Sequence, residues 1–552
     1  MNRTRFISTL GPSCFDRKSV REMVKLGSTS FRINIAHVEP GYVTETRKLL
    51  KGIKVSGNIR PSIIVDLKGP EIRARFPGVK EFSIIGNKIY RVGEGGSADV
   101  ILTPGDVISQ LEEGDVILLS DGRIRMRVVS SDGNGVKVRA RNSGMIRNNA
   151  RVNIPDKELN LGAITERDEI FLREGIKEGV DFFALSFVQS AKNVEEFRGK
   201  IEELGGDQFI ISKIETKTGL RNSDSICRVS DMIMVARGDL GVEMPLEEIS
   251  VVQKNLIHRA HSYGIPSIVA TQILESMIEN ETPTRAEIND ISNAIFDGAD
   301  ILMLSEETAV GKNPIRAVQV LNSVTRYVES KVRDFPEPEE FLGNKIAYAV
   351  AKSAKILSSE TEKDIVALTR SGSTVKMLSA LRPYGKIFAI TSNRRLLSRF
   401  YLYNDTYPID IEIKGESVAD ITEEILASGL FEKGTMLIIT SGEPYFPFGG
   451  TNDVRCVIVG DFIGRGYAAG PGCSGRVTYN PRGKGTIFIS TKPGELIPEQ
   501  MDGIIFSYRA PLSMMENLVK KGKTVVSSAI FRRMPEEGER ITVDKHNGMI
   551  FH

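Results

Sequence analysis

The 552-residue sequence has few cysteines and few histidines. Its four cysteines, Cys14, Cys227, Cys456 and Cys473, lie far apart and do not have the spacing of a metal site. A disulfide framework would need more thiols in a chain of this length, so the low cysteine content favours a reducing compartment. The five histidines are scattered along the chain, which argues against a zinc site.

Long apolar runs and an excess of one charge are also missing. No run approaches the ~20 apolar residues of a membrane-spanning helix, and the start MNRTRFISTLGPS has no signal-peptide core. The 73 basic and 71 acidic residues nearly cancel, so bulk charge predicts neither a nucleic-acid nor a membrane partner. We expect a cytosolic protein of several domains, since single cores rarely exceed ~250–300 residues.

Eight short apolar runs recur in the first part of the chain, and most are followed by a helix-like stretch. Such runs are long enough for buried strands and too short for helices. Eight buried strands separated by helices are typical of a (β/α)8 barrel. The runs are RFISTL (5–10), SFRIN (30–34), SIIVD (62–66), DFFALSF (181–187), FIISKIE (209–215), MIMVAR (232–237), SIVAT (267–271) and ILMLSEE (301–307).

The third and fourth runs are separated by about 115 residues of a different pattern. Short alternating pieces with Gly and Asp turns, as in EEGDVILLSDGRIRMRVVSSDGNGVKVRAR, predict small antiparallel strands and hence an inserted domain. Inserted between a strand and its helix, such a domain could act as a lid. After the linker-like FPEPEE (335–340), an α/β stretch and then a Gly-rich module follow. The expected division is a barrel at 1–71 and 159–335, a β lid at 72–158, an α/β domain at 336–464 and a C-terminal module at 465–552.

Charged and polar side chains follow most of the apolar runs. In a barrel the carboxyl ends of the strands meet at one mouth, where such enzymes place their chemistry. Lys213 and Glu215 are two residues apart, so both side chains should leave the same face of a strand. The residues at these ends are Arg32, Asn34, Asp66, Lys213, Glu215, Arg237, Asp239, Thr271, Ser305 and Glu307.

These residue types favour phosphoryl transfer. Glu215 and Asp239 are hard oxygen ligands of the kind that Mg²⁺ takes together with waters and substrate oxygens. Lys213 and Arg32 are cations that could neutralise a phosphoryl group, and a divalent ion with Lys and Arg around an anion is usual in this chemistry. The alternative reading is that these charges form ion pairs that only brace the barrel interior.

Five stretches resemble the pyruvate kinase family, and the resemblance runs in order from Thr4 to about Gly460. They are LKGPEIR (67–73), ISKIETKTG (211–219), IMVARGDLGVE (233–243), ATQILESM (270–277) and PTRAEINDISNAIFDGADILMLSEETA (283–309). The resemblance implies transfer of a phosphoryl group from phosphoenolpyruvate to ADP, giving pyruvate and ATP. It further implies an α/β fold, with a (β/α)8 TIM barrel, an inserted small β-barrel lid and a C-terminal α/β domain. Mg²⁺ (or Mn²⁺) and a homotetramer are expected as well.

The resemblance assigns roles to the residues that carry phosphate and metal. Lys213 matches the lysine that stabilises the transferring phosphoryl group, and Arg32 matches the phosphate-binding arginine. Glu215 and Asp239 match the Mg²⁺ ligands. His37 and Arg73, with Asn34, match nucleotide contacts.

Further roles concern the substrate carboxylate and a proton. Ala236, Arg237 and Gly238 resemble the loop whose backbone holds the carboxylate. Thr271 matches the threonine near the enolate carbon, with proton delivery through water assisted by Ser305 and Glu307.

Three departures from the family pattern stand out. RINIAH (32–37) has Ala36 where the family has a serine that helps to hold K⁺, so a K⁺ site at Asn34, Asp66 and the Leu67 carbonyl is doubtful. ARVNIP (150–155) replaces the nucleotide-binding lysine with Ala150, and Arg151 is the candidate to supply that charge. The third departure is Glu306, where small residues are common.

The C-terminal half offers one candidate effector site. ALTRSGSTVKMLSALRP (367–383) resembles the family's effector loop, with Thr369, Ser371, Ser373 and Thr374 around Gly372 before a helix start. Such a start can bind phosphate, and a sugar phosphate or AMP is the expected effector. An ordinary Ser/Thr-capped helix start is the equally open alternative.

The C-terminal module resembles the swivelling phosphohistidine domain of phosphoenolpyruvate-using enzymes. The resemblance lies in GRGYAAGPG (464–472) and ERITVDKHNGMI (539–550). The stretch that matches the active motif, YRAPLSMMENL (508–518), has no histidine, so a packing or oligomerisation role is expected instead of phosphate relay.

Two other functions remain open from the sequence. One is a metal-dependent barrel enzyme acting on enolates, such as a pyruvate-class aldolase, which would lack the lid and the Lys213–Glu215 pair. The other is a non-catalytic metabolite sensor, suggested by Ala36, Ala150 and the missing histidine in the active-motif stretch of the C-terminal module. Barrels host many reactions, so only the site residues can decide.

Overall fold

The computed structural model describes residues 2–95, 98–132, 135–332, 338, 340–412, 414, 418–432, 435–442, 450–459, 462–544 and 548–552. The chain forms two compact units. The first contains Met1–Ile356 and Ala367–Ile411, and the second contains Leu357–Val366 and Glu412–His552. The predicted linker FPEPEE lies mostly outside the described residues. Among the residues described, no helix has both the length and the apolar character needed to cross a membrane.

Eight parallel strands of the first unit close into a barrel, which confirms the predicted fold class. Each predicted run overlaps one of them, although the second strand begins two residues before its run, at Ser28. Nearly every strand residue is buried, as expected for strands covered on both faces. The strands are Arg5–Thr9, Ser28–Asn34, Ser62–Asp66, Phe182–Leu185, Phe209–Ile214, Met232–Ala236, Ser267–Ala270 and Ile301–Leu304.

Helices surround this barrel and bury their apolar faces against it. The helix after Asn313, for example, begins with a proline at its first position and buries Val318 and Leu321. The helices that connect the strands are Arg17–Lys25, Tyr42–Leu50, Glu166–Glu178, Ala191–Glu203, Lys217–Arg221, Ser223–Val229, Arg237–Glu243, Ile249–Ser262, Arg285–Phe296, Glu306–Ala309 and Pro314–Glu329.

The eighth strand is shorter than predicted. It ends at Leu304, whereas the predicted run continues to Glu307. Glu306–Ala309 is a short helix, and Ser305 is the turn residue before it. The apolar run stops at Leu304, and the polar residues after it leave the core.

A second, smaller closed barrel is inserted after the third strand. Its strands alternate buried and exposed residues, as in Ile124–Ser131, so one face packs inward. The strands are Ile72–Arg75, Ile89–Gly93, Val100–Thr103, Val116–Leu119, Ile124–Ser131, Gly135–Ala140 and Ala150–Asn153, with a separate pair Glu81–Ile84 and Gly144–Arg147.

Acidic residues precede three strands of the large barrel at its amino end. Asp181, Asp231 and Asp300 each stand one residue before a strand, and each accepts a backbone N–H from the neighbouring strand. The three N–H donors are Ile63, Ile210 and Ser267, at 2.7, 2.9 and 2.8 Å. These carboxylates therefore tie neighbouring strands together at the end opposite the mouth.

The remaining chain contains an α/β segment and a third closed barrel. In the first unit, Ile387–Ile390 pairs in parallel with Thr406–Ile409, while in the second unit Met436–Ser441 pairs antiparallel with Asp453–Ile458. The other elements of this segment are Lys345–Thr361, Ile365–Leu368, Ser373–Leu381, Arg395–Arg399 and Val418–Ala427. The C-terminal barrel is built from Phe462–Ala469, Cys473–Thr478, Ile487–Ser490, Gly503–Phe506, Thr524–Phe531, Arg540–Val543 and Met549–Phe551, with the helix Leu512–Lys520.

Candidate active site

The mouth of the large barrel, defined here as the carboxyl ends of its eight strands, holds a cluster of buried charges around Lys213. The Lys213 Nζ lies 2.9 Å from Glu215 Oε1 and 3.2 Å from Asp66 Oδ1, and it donates to Ser186 Oγ at 2.8 Å. Lys213 and Glu215 therefore do face the same side, as their spacing predicted. Burial lowers the pKa of Lys213. The charges of Asp66 and Glu215 raise it by more than burial lowers it, so the pKa lies above its ordinary value. The ammonium group is thus fully charged at neutral pH.

Arg32 and Asp66 form the second half of this cluster. The Arg32 Nε is 2.6 Å from Asp66 Oδ2, and its Nη1 donates to Thr9 Oγ1 at 3.1 Å. Burial opposes the charge of Asp66, yet Lys213 and Arg32 together hold its pKa below the usual value. One carboxylate thus fixes two cations side by side, at the ends of the second and fifth strands.

Glu215 and Asp239 are the candidate metal ligands at the mouth. Burial raises the pKa of Glu215, and the nearby charge of Asp239 adds to the rise, while Lys213 opposes it. The Glu215 Oε2 accepts the backbone N–H of Phe187 at 2.9 Å. Two acids that repel one another in a partly buried site suit a hard divalent cation. Within the described ranges no cluster of three or more His, Cys, Asp or Glu side chains could hold a metal, but Mg²⁺ needs only one or two carboxylates.

Arg151 reaches the mouth from the small barrel. Its Nη1 is 2.5 Å from Asp239 Oδ1, its Nε is 3.9 Å from Glu71 Oε1, and its guanidinium lies 5.2 Å from the ring centre of Phe187. The side chain is therefore beside one of the two candidate metal ligands. Burial lowers the pKa of Arg151, but Asp239, Glu215 and Glu71 raise it overall.

The turn after the sixth strand places backbone groups beside Thr271. The N–H of Gly238 donates to Thr271 Oγ1 at 2.9 Å. The Arg237 side chain points elsewhere, with its Nη1 donating to Asp290 at 2.6 Å and its Nη2 to the Thr271 carbonyl at 2.6 Å. Ala236 ends the strand and precedes the helix Arg237–Glu243. Only the backbone of this turn, and not the Arg237 guanidinium, is available to a substrate.

Thr271 has an unusual backbone conformation. Its φ of 67° lies in the left-handed region, where a β-branched residue is strained. Such strain is characteristic of functional sites. The bond from the Arg237 guanidinium to the Thr271 carbonyl holds the residue in this conformation.

Ser305 and Glu307 lie together at the end of the eighth strand. The Glu307 carboxylate is 2% exposed and accepts two backbone N–H groups, from Leu274 at 3.0 Å and Ser305 at 2.7 Å. It therefore fixes the loops that follow the seventh and eighth strands.

The candidate nucleotide contacts are spread around the mouth. Arg73 is tied to Glu71 by its Nη2 at 2.5 Å and to the Asn149 carbonyl by its Nη1 at 3.2 Å. His37 is exposed, in the short helical turn Ile35–His37 that Asn34 caps through its Oδ1.

The candidate K⁺ ligands are all engaged by protein groups. Asp66 binds two cations, the Asn34 Oδ1 accepts the Ala36 N–H at 3.2 Å, and the Leu67 carbonyl accepts the Ser186 hydroxyl at 2.7 Å.

Ser186 was missed by the sequence reasoning. It lies just beyond the fourth strand, and its hydroxyl connects Lys213 to the Leu67 carbonyl. The sequence does contain the signal that identified the other candidates, a polar residue near the end of an apolar run, because Ser186 lies near the end of the fourth run. Asp290, which binds Arg237, gave no such signal because it lies within a helix.

The candidate effector loop has bonds of its own. The Gly372 N–H donates to Thr369 Oγ1 at 2.9 Å, and the Ser371 hydroxyl donates to Ser373 Oγ at 3.1 Å. Gly372 has a φ of 90° and begins the helix Ser373–Leu381 without a side-chain cap. This loop is separate from the mouth residues, and its Thr374 is buried.

Comparison with known proteins places this geometry in a family. One family model, "Pyruvate kinase, barrel domain", matches residues 1–318, and a second, "Pyruvate kinase, alpha/beta domain", matches residues 344–457. A pyruvate kinase from Thermoplasma acidophilum is 45% identical over 99% of this chain and 98% of its own length. A pyruvate kinase from Bacillus licheniformis is 31% identical, covering 100% and 99%. The crystal structure of a pyruvate kinase from Cryptosporidium parvum superposes with a TM-score of 0.73 at 29% identity, over 83% of this chain and 96% of that one.

Proposed function

We propose that the charged cluster at the mouth is the site of phosphoryl transfer. The chain belongs to the pyruvate kinase family and transfers the phosphoryl group of phosphoenolpyruvate to ADP, giving pyruvate and ATP. The observation that carries the proposal is the Lys213 ammonium, fixed between Asp66 and Glu215 with Arg32 beside it. Asp66 binds both cations, so they are already in position for an anion whose charge moves during the reaction.

Lys213 and Arg32 are proposed to hold the transferring phosphoryl group. In this step the P–O bond to the enolate oxygen breaks and a bond from an ADP phosphate oxygen forms. Negative charge is then spread over the three equatorial oxygens, and two fixed cations stabilise it without reorganising. Because Asp66 and Glu215 raise the pKa of Lys213, the lysine acts as a cation and not as a proton donor.

Glu215 and Asp239 are proposed to hold Mg²⁺ or Mn²⁺. When bound, the ion would neutralise and orient the oxygens of the substrate phosphates. The raised pKa of Glu215, caused by burial and by Asp239, is the property that supports a cation at this position.

Thr271 is proposed to assist delivery of the proton to the enolate carbon through water, which returns a proton to the hydroxyl. Its Oγ1 accepts the Gly238 N–H, so the hydroxyl hydrogen is not used in that bond and can be donated. Ser305 and Glu307 are proposed to position this region, since the Glu307 carboxylate anchors the loops after the seventh and eighth strands. The proposed contact for the substrate carboxylate is the backbone of Ala236, Arg237, Gly238 and Asp239. The carboxylate would accept the Gly238 N–H in place of Thr271 Oγ1.

Thr271 variants separate proton delivery from phosphoryl transfer. We expect Thr271→Val to slow exchange of the pyruvate methyl hydrogens with solvent, because the isosteric valine has no hydroxyl. Thr271→Ser keeps the hydroxyl and serves as the matched control. Nuclear magnetic resonance of pyruvate in deuterated water measures the exchange, and equal exchange by both variants would remove Thr271 from this role.

Arg73, Arg151, His37 and Asn34 are the proposed nucleotide contacts. Arg151 takes the place of the charge lost at Ala150, and it can reach the ADP phosphates only by giving up part of its contact with Asp239. Arg151→Gln should therefore weaken ADP binding while leaving phosphoenolpyruvate binding unchanged, as measured by the two Michaelis constants.

Dependence on K⁺ is proposed to be weak. Ala36 has no hydroxyl oxygen that could bind K⁺. The side chains of Asp66 and Asn34 and the Leu67 carbonyl already bond to protein groups. Initial rates at constant ionic strength, with K⁺ replaced by a larger organic cation, should differ little. Strong activation by K⁺ would contradict the proposal.

Regulation and assembly remain proposals of the same kind. Thr369, Ser371, Gly372, Ser373 and Thr374 form the candidate site for a phosphorylated effector, supported by hydroxyl and N–H groups at a helix start. A cytoplasmic homotetramer is proposed, in keeping with four unpaired cysteines, and analytical ultracentrifugation tests the assembly. For the C-terminal barrel we propose a packing role, because the helix Leu512–Lys520 starts without a histidine.

A further inference from the structure

The last strand of the small barrel, Ala150–Asn153, meets the large barrel through two side chains. The Arg151 Nη1 lies 2.5 Å from Asp239 Oδ1, and the Asn153 Nδ2 donates to Glu243 Oε1 at 3.0 Å. Asp239 belongs to the mouth, whereas Asn153 and Glu243 lie outside the set of residues proposed to touch substrate or metal.

The two contacts have matching spacings. Arg151 and Asn153 are two residues apart in a strand, so their side chains leave the same face about 7 Å apart. Asp239 and Glu243 are four residues apart in the helix Arg237–Glu243, so they also share one face, about 6 Å apart. The strand therefore docks on the helix at two points, and a shift of either element would change both contacts.

The Glu243 carboxylate joins a third segment to this contact. Its Oε2 accepts the backbone N–H of Lys217 at 2.9 Å. Lys217 begins the helix that follows the fifth strand, and it stands two residues after Glu215. One carboxylate therefore connects the last strand of the small barrel with the segments that carry Glu215 and Asp239, the two candidate metal ligands.

An asparagine at position 153 adds little to the stability of the fold. The residue is 5% exposed, and its Oδ1 is buried without a hydrogen-bond partner in the described part of the chain. An unpaired buried polar atom destabilises a protein by about as much as the bond from Nδ2 stabilises it. The contact with Glu243 therefore contributes to position more than to stability.

The same residues surround a cavity that is too small for a metabolite. Arg151, Asn153 and Glu243 line it together with Glu71 and Phe187, and its volume is about 40 Å³. Small-molecule sites usually have roughly 300–1,000 Å³, so this space has room for water and not for a substrate. The contact is therefore packing between the two barrels and not a binding site.

We propose that Glu243 and Asn153 are positioning residues for phosphoryl transfer. Glu243 aligns the two segments that carry the candidate metal ligands, and through Asn153 it fixes the strand from which Arg151 reaches the nucleotide phosphates. Arg151 must give up part of its contact with Asp239 to reach ADP, so the second fixed point at Asn153 keeps the strand in register while the guanidinium moves. The inference rests on the proposed nucleotide contact of Arg151 and adds two residues that act through other groups.

Asn153→Ala tests the connection to Arg151. The variant loses the bond to Glu243 and keeps the Glu243–Lys217 bond, so the Michaelis constant for ADP should rise about fivefold or more, while that for phosphoenolpyruvate stays unchanged. In the background of Arg151→Gln the same substitution should have no further effect, because it acts through Arg151. The unfolding temperature should stay near that of the wild type, since the unpaired Oδ1 is lost together with the bond.

Asn142→Ala is the matched control. It is the same substitution in the same small barrel, at an exposed residue whose side chain bonds to Arg123 and Arg125 of that barrel. The control should keep both Michaelis constants of the wild type. If Asn153→Ala behaves like the control, or if its effect adds in full to that of Arg151→Gln, the role of Asn153 is overturned.

Mn²⁺ binding tests Glu243 without turnover. Electron paramagnetic resonance in the absence of substrates should show about tenfold weaker binding for Glu243→Ala, because both ligand-bearing segments lose their common carboxylate. Asn153→Ala keeps the Glu243–Lys217 bond and should bind Mn²⁺ as the wild type does.

Glu243→Gln separates position from charge. Its amide oxygen can still accept the Lys217 N–H, and its amide nitrogen can donate to Asn153 Oδ1 once the Asn153 amide has turned, so most of the Mn²⁺ affinity should return. A loss as large in Glu243→Gln as in Glu243→Ala would assign the effect to charge and overturn the proposal. Should Glu243→Ala fail to fold, the combination of Asn153→Ala with Arg151→Gln decides alone.

Arg151→Gln by itself distinguishes a failure of the proposed function from a failure of this inference. An unchanged Michaelis constant for ADP in that variant would remove Arg151, and Asn153 with it, from nucleotide binding. The Mn²⁺ measurements would still decide the role of Glu243, since they depend on the metal ligands and not on Arg151.

Discussion

Both ends of the large barrel carry carboxylates that pair with cations, but the three at the amino end also tie neighbouring strands together. At the amino end, Asp181, Asp231 and Asp300 each accept a backbone N–H from a neighbouring strand. At the mouth, Lys213 and Asp66 bond mainly to other side chains.

One carboxylate at each end has its pKa shifted in the opposite direction, whereas the pKa of Asp66 at the mouth is lowered like that of Asp300. The pKa of Asp300 is held at about 2: burial would raise it, but His261 and Arg382 outweigh burial, and the Ser267 N–H assists them. The pKa of Glu215 is raised, since burial and Asp239 outweigh Lys213. A carboxylate whose pKa is lowered in the folded protein stabilises the fold. A carboxylate whose pKa is raised lacks enough positive charge nearby and is suited to bind a cation. We therefore expect Asp300 to contribute to stability and Glu215 to hold a cation.

Lys213→Met gives the largest expected effect at the mouth. Removal of a fixed cation from the transferring phosphoryl group should lower kcat by about a thousandfold or more. A coupled assay for pyruvate measures the loss, and circular dichroism should show an unchanged fold. Activity within a few-fold of wild type would end the assignment of Lys213 to phosphoryl transfer.

Glu215→Gln separates metal binding from stability. The amide cannot serve as a charged ligand, so affinity for Mn²⁺, followed by electron paramagnetic resonance, should fall at least about tenfold. Because Lys213 keeps its contact with Asp66 when Glu215 is replaced, the unfolding temperature should fall less than in Asp300→Asn. An equal or larger fall would show that the mouth and the amino end do not differ in this way.

Asp300→Asn should have the reverse pattern. Arg382, whose Nη2 is 2.9 Å from Asp300 Oδ1, would lose its carboxylate in a buried place, at a cost of about 3 kcal/mol. Urea unfolding measures this loss, while the Michaelis constants of the remaining folded protein should not change. Glu169→Gln, which removes an exposed partner of Arg173, is the control and should leave stability unaltered.

The smallest expected effect is a pH dependence. Because the folded pKa of Asp300 lies near 2 and its ordinary value is 3.8, the unfolded chain takes up the proton first as pH falls. The stabilisation from Asp300 is complete above about pH 5 and is lost as the pH falls toward 2. Unfolding free energies at pH 5, 4 and 3 should decline more steeply for wild type than for Asp300→Asn. Equal slopes would show that Asp300 does not contribute.

Much of the fold followed from local patterns. The eight apolar runs mark the eight barrel strands because a buried strand needs only a few consecutive apolar residues. The small barrel was recognisable by its alternation, as in Ile124–Ser131. The division into domains stays a prediction. The predicted eighth run extends beyond the strand to Glu307. The apolar pattern alone does not show that the chain already turns at Ser305.

The candidate site was predictable where a residue stands at a strand end. Lys213, Asp66 and Arg32 were found in this way, and the structure brings them together. Arg151 and Asp239 are 88 residues apart, and no local pattern indicates that they pair. Their contact depends on how the small barrel is placed over the mouth.

The sequence alone determined which segments become strands and which chemical groups stand at their ends, because periodicity and composition act over a few residues. Only the tertiary structure decided which charges meet. It joined Asp300 to Arg382, tied Asp181 to Ile63, and set Asn153 beside Glu243. Such contacts join groups far apart in the chain, and their energies depend on burial and distance, which no local pattern encodes.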